Sequence, residues 1–218
     1  MKTGDGLPST AGYIVVGILF ALSLNFGLGI ALDTDLPIVA VQSCSMVHQM
    51  DAASKFFVML EQEATKNAAR CQNMNAIIPD DAFKSSPLSG GFDMGDLLIL
   101  SGYGKADFKE GDVIVFTPSV PCGQGQAKVP IVHRIISINS DGSFQTQGDA
   151  NRGQLACEKS IQPGQIHGKA IFIVPYLGWI KIFAAEVVWP NILLSLAIAA
   201  ALYILWKATN LGEKLKHI

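Results

Sequence analysis

The stretch IVHRIISINSDGSFQT, residues 131–146, decides the fold class. Two runs suited to strands, Ile131 to Ile138 and Ser143 to Thr146, flank Asn139-Ser140-Asp141-Gly142. Asn, Asp and Gly tolerate the tight backbone of a hairpin turn, so the stretch predicts two antiparallel strands. Short apolar runs at Ile38 to Gln42, Leu97 to Leu100, Val113 to Phe116 and Ala170 to Val174 supply more strands. Such a set predicts a mainly β domain, built as a curved antiparallel sheet or partial barrel.

Helix is expected in one insertion only, at 47–92. Asp51 can cap a helix from Met50 to Arg70, whose apolar stripe is Phe56, Phe57, Leu60 and Ala64. Gln72 to Gly91 then reads as loop, with turns at Ile78-Pro79-Asp80-Asp81 and Pro87-Leu88-Ser89-Gly90-Gly91. Gly95-Asp96 and Gly111-Asp112 each precede a strand; plain turn chemistry explains them without an internal repeat.

Half of the 218 residues are hydrophobic, but unevenly placed. Residues 12–32 and 187–206 carry no charge. Either run, as a helix, spans the roughly 30 Å hydrocarbon core of a bilayer. The first is too long for the h-region of a cleaved leader, so a retained anchor is expected. Trp189, Tyr203 and Trp206 flank the second, as suits membrane interfaces. Lys207, Lys214 and Lys216 follow it against a single acid, Glu213. Positive flanks stay inside, so 1–11 and 207–218 are expected in the cytoplasm and 33–186 outside. The net charge is −2 and no basic block occurs, which argues against a nucleic-acid partner. Cys44, Cys71, Cys122 and Cys157 all fall in the middle domain, where disulfides are permitted. Four cysteines allow three pairings and sequence does not choose; Cys44–Cys71 with Cys122–Cys157 is the working expectation. No CxxC pair occurs, so no metal site or other cofactor is expected.

A serine hydroxyl needs a base within hydrogen-bond reach and usually an acid to orient that base. Val39-Ala40-Val41-Gln42-Ser43-Cys44-Ser45-Met46 places two hydroxyls at a strand end just after the first apolar run. His48 is only three residues from Ser45, and His167 precedes the last strand without special company. His133 sits at the centre of an apolar strand, where His-Arg is out of place. Asp149 ends the partner strand of the hairpin and is expected to face His133 across it. Cys44 alternates to the face opposite Ser45, which argues against a thiol enzyme.

Ser45-Met46, the strands opened by Gly95-Asp96 and Gly111-Asp112, Ile131-Val132-His133-Arg134, and Thr146-Gln147-Gly148-Asp149-Ala150-Asn151 resemble, in this order, the pattern of type I signal peptidases. Gly168-Lys169-Ala170 resembles the closing strand of the same fold. The likeness covers roughly 12–180, broken by the insertion. Histidine, where bacterial members carry lysine, resembles the archaeal and endoplasmic-reticulum branch with Ser-His-Asp chemistry.

The resemblance implies a membrane-bound serine endopeptidase that removes signal peptides from secreted preproteins after small residues. It implies Ser45 as nucleophile, His133 as general base and Asp149 as supporting carboxylate. Ser43 is assigned to the oxyanion, and Met46 with it to substrate binding. Val47-His48 stands where the family commonly has proline. The second aspartate usual after Gly-Asp-x-Asn is missing, and Glu158 is the nearest acid. Either Glu158 replaces it through a longer loop or Asp149 acts alone; Asp149 is preferred, with Glu158 second. The implied partners are preproteins, the lipid bilayer and other membrane subunits. A cell membrane fits better than the endoplasmic reticulum. An inactive membrane-tethered assembly subunit of the same fold is the alternative.

Overall fold

The computed structural model describes residues 6–62, 71, 76–78, 83, 84, 86–102, 104, 107–122, 129–185, 200, 201, 203, 204, 206 and 207. Helix α1, Gly6–Leu32, leads into strand β1, Ile38–Ala40, and helix α2, Ala52–Gln62. Strands β2, Leu97–Ser101, β3, Val113–Phe116, β4, Ile131–Ile138, β5, Phe144–Gln147, and β6, Ile166–Val174, follow. A short helix, α3, Gly178–Phe183, comes after β6. The six strands form one antiparallel sheet in the order β1-β2-β6-β3-β4-β5.

Strand β3 shows why the sheet has two buried faces. All four of its residues, Val-Ile-Val-Phe, are buried, and they alternate between two cores. Val113 and Val115 join Val41, Met46, Phe92, Leu98, Leu100 and Ala170. Ile114 and Phe116 join Ile135, Phe144, Ile161 and Ile166. A strand wedged between two cores has no solvent face to mark with polar residues, so its sequence reads as a continuous apolar run. The segment after β1 crosses to β4 and β5, where Ala150 N donates to Ser45 O at 2.8 Å.

The two Gly-Asp pairs build the same turn. Gly95 and Gly111 both hold positive φ, 92° and 91°. Asp96 then accepts from Asp93 N, and Asp112 from Lys109 N, both at 3.0 Å. Glycine supplies the left-handed step and aspartate closes the turn just before β2 and β3.

The structure shifts some expected elements. β6 begins at Ile166 rather than Ala170, because polar His167 and Lys169 find partners of their own. Helix is not confined to the insertion. α3 packs against the first Gly-Asp turn, with the Trp179 indole filling the space a Cβ on Gly95 would need. Phe57 of α2 stacks on the same indole at 5.6 Å between ring centroids. The expected cap is present, with Asp51 Oδ1 accepting from Ser54 N at 2.7 Å. Residues 63–70 of the expected helix, Ala64 among them, lie outside the described residues, as does the Leu60 side chain.

Taken over the described residues alone, no helix is long and apolar enough to cross a membrane. The first uncharged run falls within α1, where several side chains lie outside the description. The second is described only at residues 200, 201, 203, 204 and 206.

Asp93 and Asp96 face Asp51 between α2 and the β6–α3 junction. Burial pushes both carboxyls above the ordinary carboxylate range, and neighbouring negative charge adds to it. A carboxyl whose folded pKa is raised stabilises the fold fully below its unfolded value near 3.8, and that contribution is lost as pH rises through the raised value. Asp96 accepts two backbone N–H groups, whereas hydrogen bonds from the Ser54 side chain and the Asp51 backbone offset burial only in part at Asp93, which serves as the probe. Asp93→Asn should leave stability unchanged at pH 3 and raise it at pH 7, read by denaturant midpoints at the two pH values.

Candidate active site

β4 carries two polar residues side by side, and strand alternation sends them to opposite faces. His133 pairs with Ile114 in the register and so faces the second core; Arg134 pairs with Val113 and faces the first. Each is buried. A buried charge or imidazole needs partners, and each finds a different carboxylate.

His133 Nδ1 is hydrogen-bonded to Glu158 Oε1. Its Nε2 lies 2.9 Å from Ser45 Oγ. An ionised carboxylate only accepts, so Nδ1 carries the proton and the Nε2 lone pair is left for the Ser45 O–H. Glu158 is fully buried in the 3-10 turn Ala156–Glu158, which its own side chain helps close. Leu155 N donates to Oε2 at 2.6 Å and Thr146 Oγ1 to Oε1 at 2.9 Å.

Asp149 is equally buried but lies on the other face. Arg134 Nε donates to Oδ1 at 2.9 Å and Nη2 to Oδ2 at 2.6 Å. The guanidinium also donates to the carbonyls of Gly111 and Leu88, both at 2.8 Å. His48 Nε2 is 2.7 Å from Asp149 Oδ2. The expected cross-strand contact between Asp149 and His133 is therefore absent. Register explains it: Arg134 pairs with Gln147, so alternation continued to residue 149 points with Arg134 and away from His133. Gly148 is the residue opposite His133. A Cβ there would fall 2.7 Å from His133 Nε2 and 2.8 Å from Ser45 O.

The remaining residues fall around Ser45. Ser43 Oγ is 3.2 Å from Ser45 Oγ on the exposed side. Met46 is buried in the first core, and its carbonyl accepts from Phe92 N at 3.1 Å. Cys44 is bonded to Cys71 and Cys122 to Cys157, so neither bridge leaves a thiol beside the serine. A cavity of about 500 Å³ opens over Ser45 and His133. One wall is the chain from Val39 to Met46 and the other runs from Val129 to Val132. Among the described residues no group of three or more His, Cys, Asp or Glu forms a metal site.

Sequence reasoning missed His48 and undervalued His167. His167 Nε2 lies 2.8 Å from Thr117 Oγ1 and Nδ1 2.8 Å from Asp35 Oδ1, tying the chain that leaves α1 to β6. Asp35 is 69% exposed, so water screens that pair. No sequence spacing signals either contact, because both join residues more than 100 positions apart or across separate loops.

Asp149→Asn keeps the shape of the side chain but removes the countercharge of a buried Arg134. It should lower unfolding stability by about 3–5 kcal/mol, measured by urea denaturation of the purified chain.

The catalytic subunits SEC11C of the signal peptidase complexes of Rattus norvegicus and Homo sapiens are each 29% identical to this chain over 136 residues. The match covers 56% of this chain and 65% of theirs. No family model matches. This chain, a six-stranded antiparallel sheet with Ser45, His133 and Glu158 in line at a groove, is thus similar in sequence to signal peptidase catalytic subunits.

Proposed function

We propose that this chain is a membrane-bound serine endopeptidase that cuts signal peptides from preproteins after small residues. The observation that carries the proposal is the contact of Ser45 Oγ with His133 Nε2 while Glu158 holds Nδ1. In that order His133 takes the serine proton as Oγ attacks the scissile carbonyl, and Glu158 stabilises the imidazolium that forms. The proton then passes to the leaving amine, and water releases the acyl group from Ser45 by the same route. Ser43 Oγ and the Ser45 backbone N–H are assigned to the oxyanion. Glu158 takes the role first expected of Asp149, and Asp149 becomes the counterion of Arg134. Met46 contributes to the groove through its buried position rather than as a projecting contact.

β1 ends the strand order among the described residues, and its outer edge, where Lys181 Nζ donates to Ile38 O at 3.1 Å, is the side on which an extended peptide would add as a further strand. Its side chains would then alternate into the groove. The chemistry needs no metal or organic cofactor.

The membrane assignment rests on sequence, and the fold bears on where such an anchor would hold the groove. α1 has 27 residues without charge, about 40 Å of helix. Its end is tied to the sheet, since Gly102 N donates to Leu32 O at 2.7 Å and Thr34 Oγ1 to His167 O at 2.7 Å. A bilayer-spanning α1 therefore holds the groove near the surface, where a membrane-bound preprotein presents its cleavage site and two-dimensional capture raises effective concentration. Phe172 on β6 and Leu177, Ile180 and Phe183 in and beside α3 are exposed apolar residues, consistent with a lipid-facing edge. The run 187–206 would return the chain, leaving 1–11 and 207–218 in the cytoplasm and 33–186 outside. A cell membrane is favoured over the endoplasmic reticulum. Other membrane subunits are implied by analogy with the relatives' name alone. The inactive-subunit alternative loses its main support once Glu158 stands in for the second aspartate.

Ser45→Ala and His133→Ala should each abolish cleavage of a preprotein in reconstituted membranes. Glu158→Gln should lower kcat by about 10³–10⁴-fold, because an amide presents its donor or acceptor without charge and frees the wrong tautomer. Retained processing by Ser45→Ala would sink the proposal.

A further inference from the structure

The Val47-His48 segment departs from the pattern the rest of the chain resembles, and the serine mechanism leaves His48 unused. Its side chain is nevertheless 7% exposed and hydrogen-bonded to a carboxylate that is fully buried. Since that carboxylate only accepts, His48 Nε2–H donates to Asp149 Oδ2.

The contact has a partner across the same turn. Ser45 O accepts from Ala150 N, the residue after Asp149. Segment 45–48 is thus fixed to segment 149–150 at two points, by a backbone bond at Ser45 and a side-chain bond at His48. Phe92 N on Met46 O and the Cys44–Cys71 bridge hold the segment from other sides, so the His48 bond adds the contact that sets its angle against residue 149. The fixed side is itself anchored, because Arg134 grips Asp149 while Ile77 N and Ile78 N donate to Asp149 O. Gly91 holds a φ of 70°, and a Cβ there would come 2.4 Å from His48 Cδ2, the ring carbon next to Nε2. The imidazole therefore occupies a slot that admits glycine alone at residue 91.

We infer that His48 is a positioning residue for the nucleophile: through Asp149 it sets the angle at which the Ser45 hydroxyl meets His133 Nε2. The inference rests on the serine-peptidase reading and adds to it a residue outside the proton path. It also gives Asp149 a role in activity that does not require contact with His133.

Three variants separate positioning from mere bulk. Glutamine places an N–H donor where Nε2 sits, asparagine stops short of Asp149, and methionine has the reach without a donor. The full chain, reconstituted in bilayers, is assayed for kcat and KM with one preprotein, beside the wild type and Ser45→Ala. Melting temperatures are recorded in parallel. His48→Gln should keep kcat within about threefold, whereas His48→Asn and His48→Met should lose about 10- to 100-fold. KM should stay level throughout, since His48 does not reach the groove wall. Equal kcat for His48→Asn and His48→Gln overturns the inference, and so does a loss that appears in KM or follows the melting temperature alone. If His48→Met does not fold, the Asn and Gln pair decides; if none of the three folds, His48 serves the fold and the inference fails. A wild type that does not cleave, or a Ser45→Ala variant that does, overturns the peptidase reading itself and is seen in the same assay.

Discussion

Two neighbouring residues on one buried strand impose most of the site. His133 and Arg134 cannot both be left without partners, because each would then place an unsatisfied polar or charged group in a core. Alternation forbids them a common partner. The strand therefore needs two carboxylates, one per face, and the chain supplies both from the segment after β5. Glu158 returns beneath the sheet in a 3-10 turn, and Asp149 sits in the turn above. Residues 148–158 thus serve both faces of β4.

The proposed nucleophile, Ser45, reaches this arrangement from the far end of the sheet. Ser45 follows β1, the strand most removed from β4 and β5 in the order. The segment after β1 carries it there, where Ala150 N donates to Ser45 O and His133 Nε2 meets its hydroxyl, so this crossing belongs to the site as much as the polar groups do. The disulfides act in the same sense. Cys44–Cys71 fixes the residue before Ser45, and Cys122–Cys157 fixes the residue before Glu158. Their loops span 27 and 35 residues, a range in which a bridge adds about 3–4 kcal/mol by restricting the unfolded chain. Each bridge is also one peptide bond from a residue of the proposed proton path, so each limits how far that residue can drift.

The sheet was legible because its signals are local. β3 and β4 appear with the expected ends, since a β-branched run bounded by turn residues carries its own limits. β6 starts four residues before its apolar run, because polar His167 and Lys169 have long-range partners that apolar content does not reveal. Ser45 and His133 could be singled out from residue type and placement. The orienting acid could not. The hairpin reading supplied the right neighbour strand but not its register, and a shift of one residue reverses the face. His48 lies only three residues from Ser45, too near in sequence to suggest a partner in the proton path. That closeness is what lets it brace the serine from behind.

Glutamate in place of aspartate raises a further physical question, because the longer side chain has one more torsion to fix. Loss of that freedom weakens a hydrogen bond unless something else restrains the carboxylate. Here each oxygen is held. Leu155 N restrains Oε2, Thr146 Oγ1 shares Oε1 with His133, and the turn itself is short. Because Leu155 is the residue that opens the 3-10 turn, the side chain that orients the imidazole also closes the turn that carries it. Moving the carboxylate away from His133 would open the turn, and opening the turn would move the carboxylate. A glutamate so coupled is as constrained as a shorter acid would be. The longer loop after Asp149 is then no defect in the site but the means by which the acid reaches the opposite face of β4.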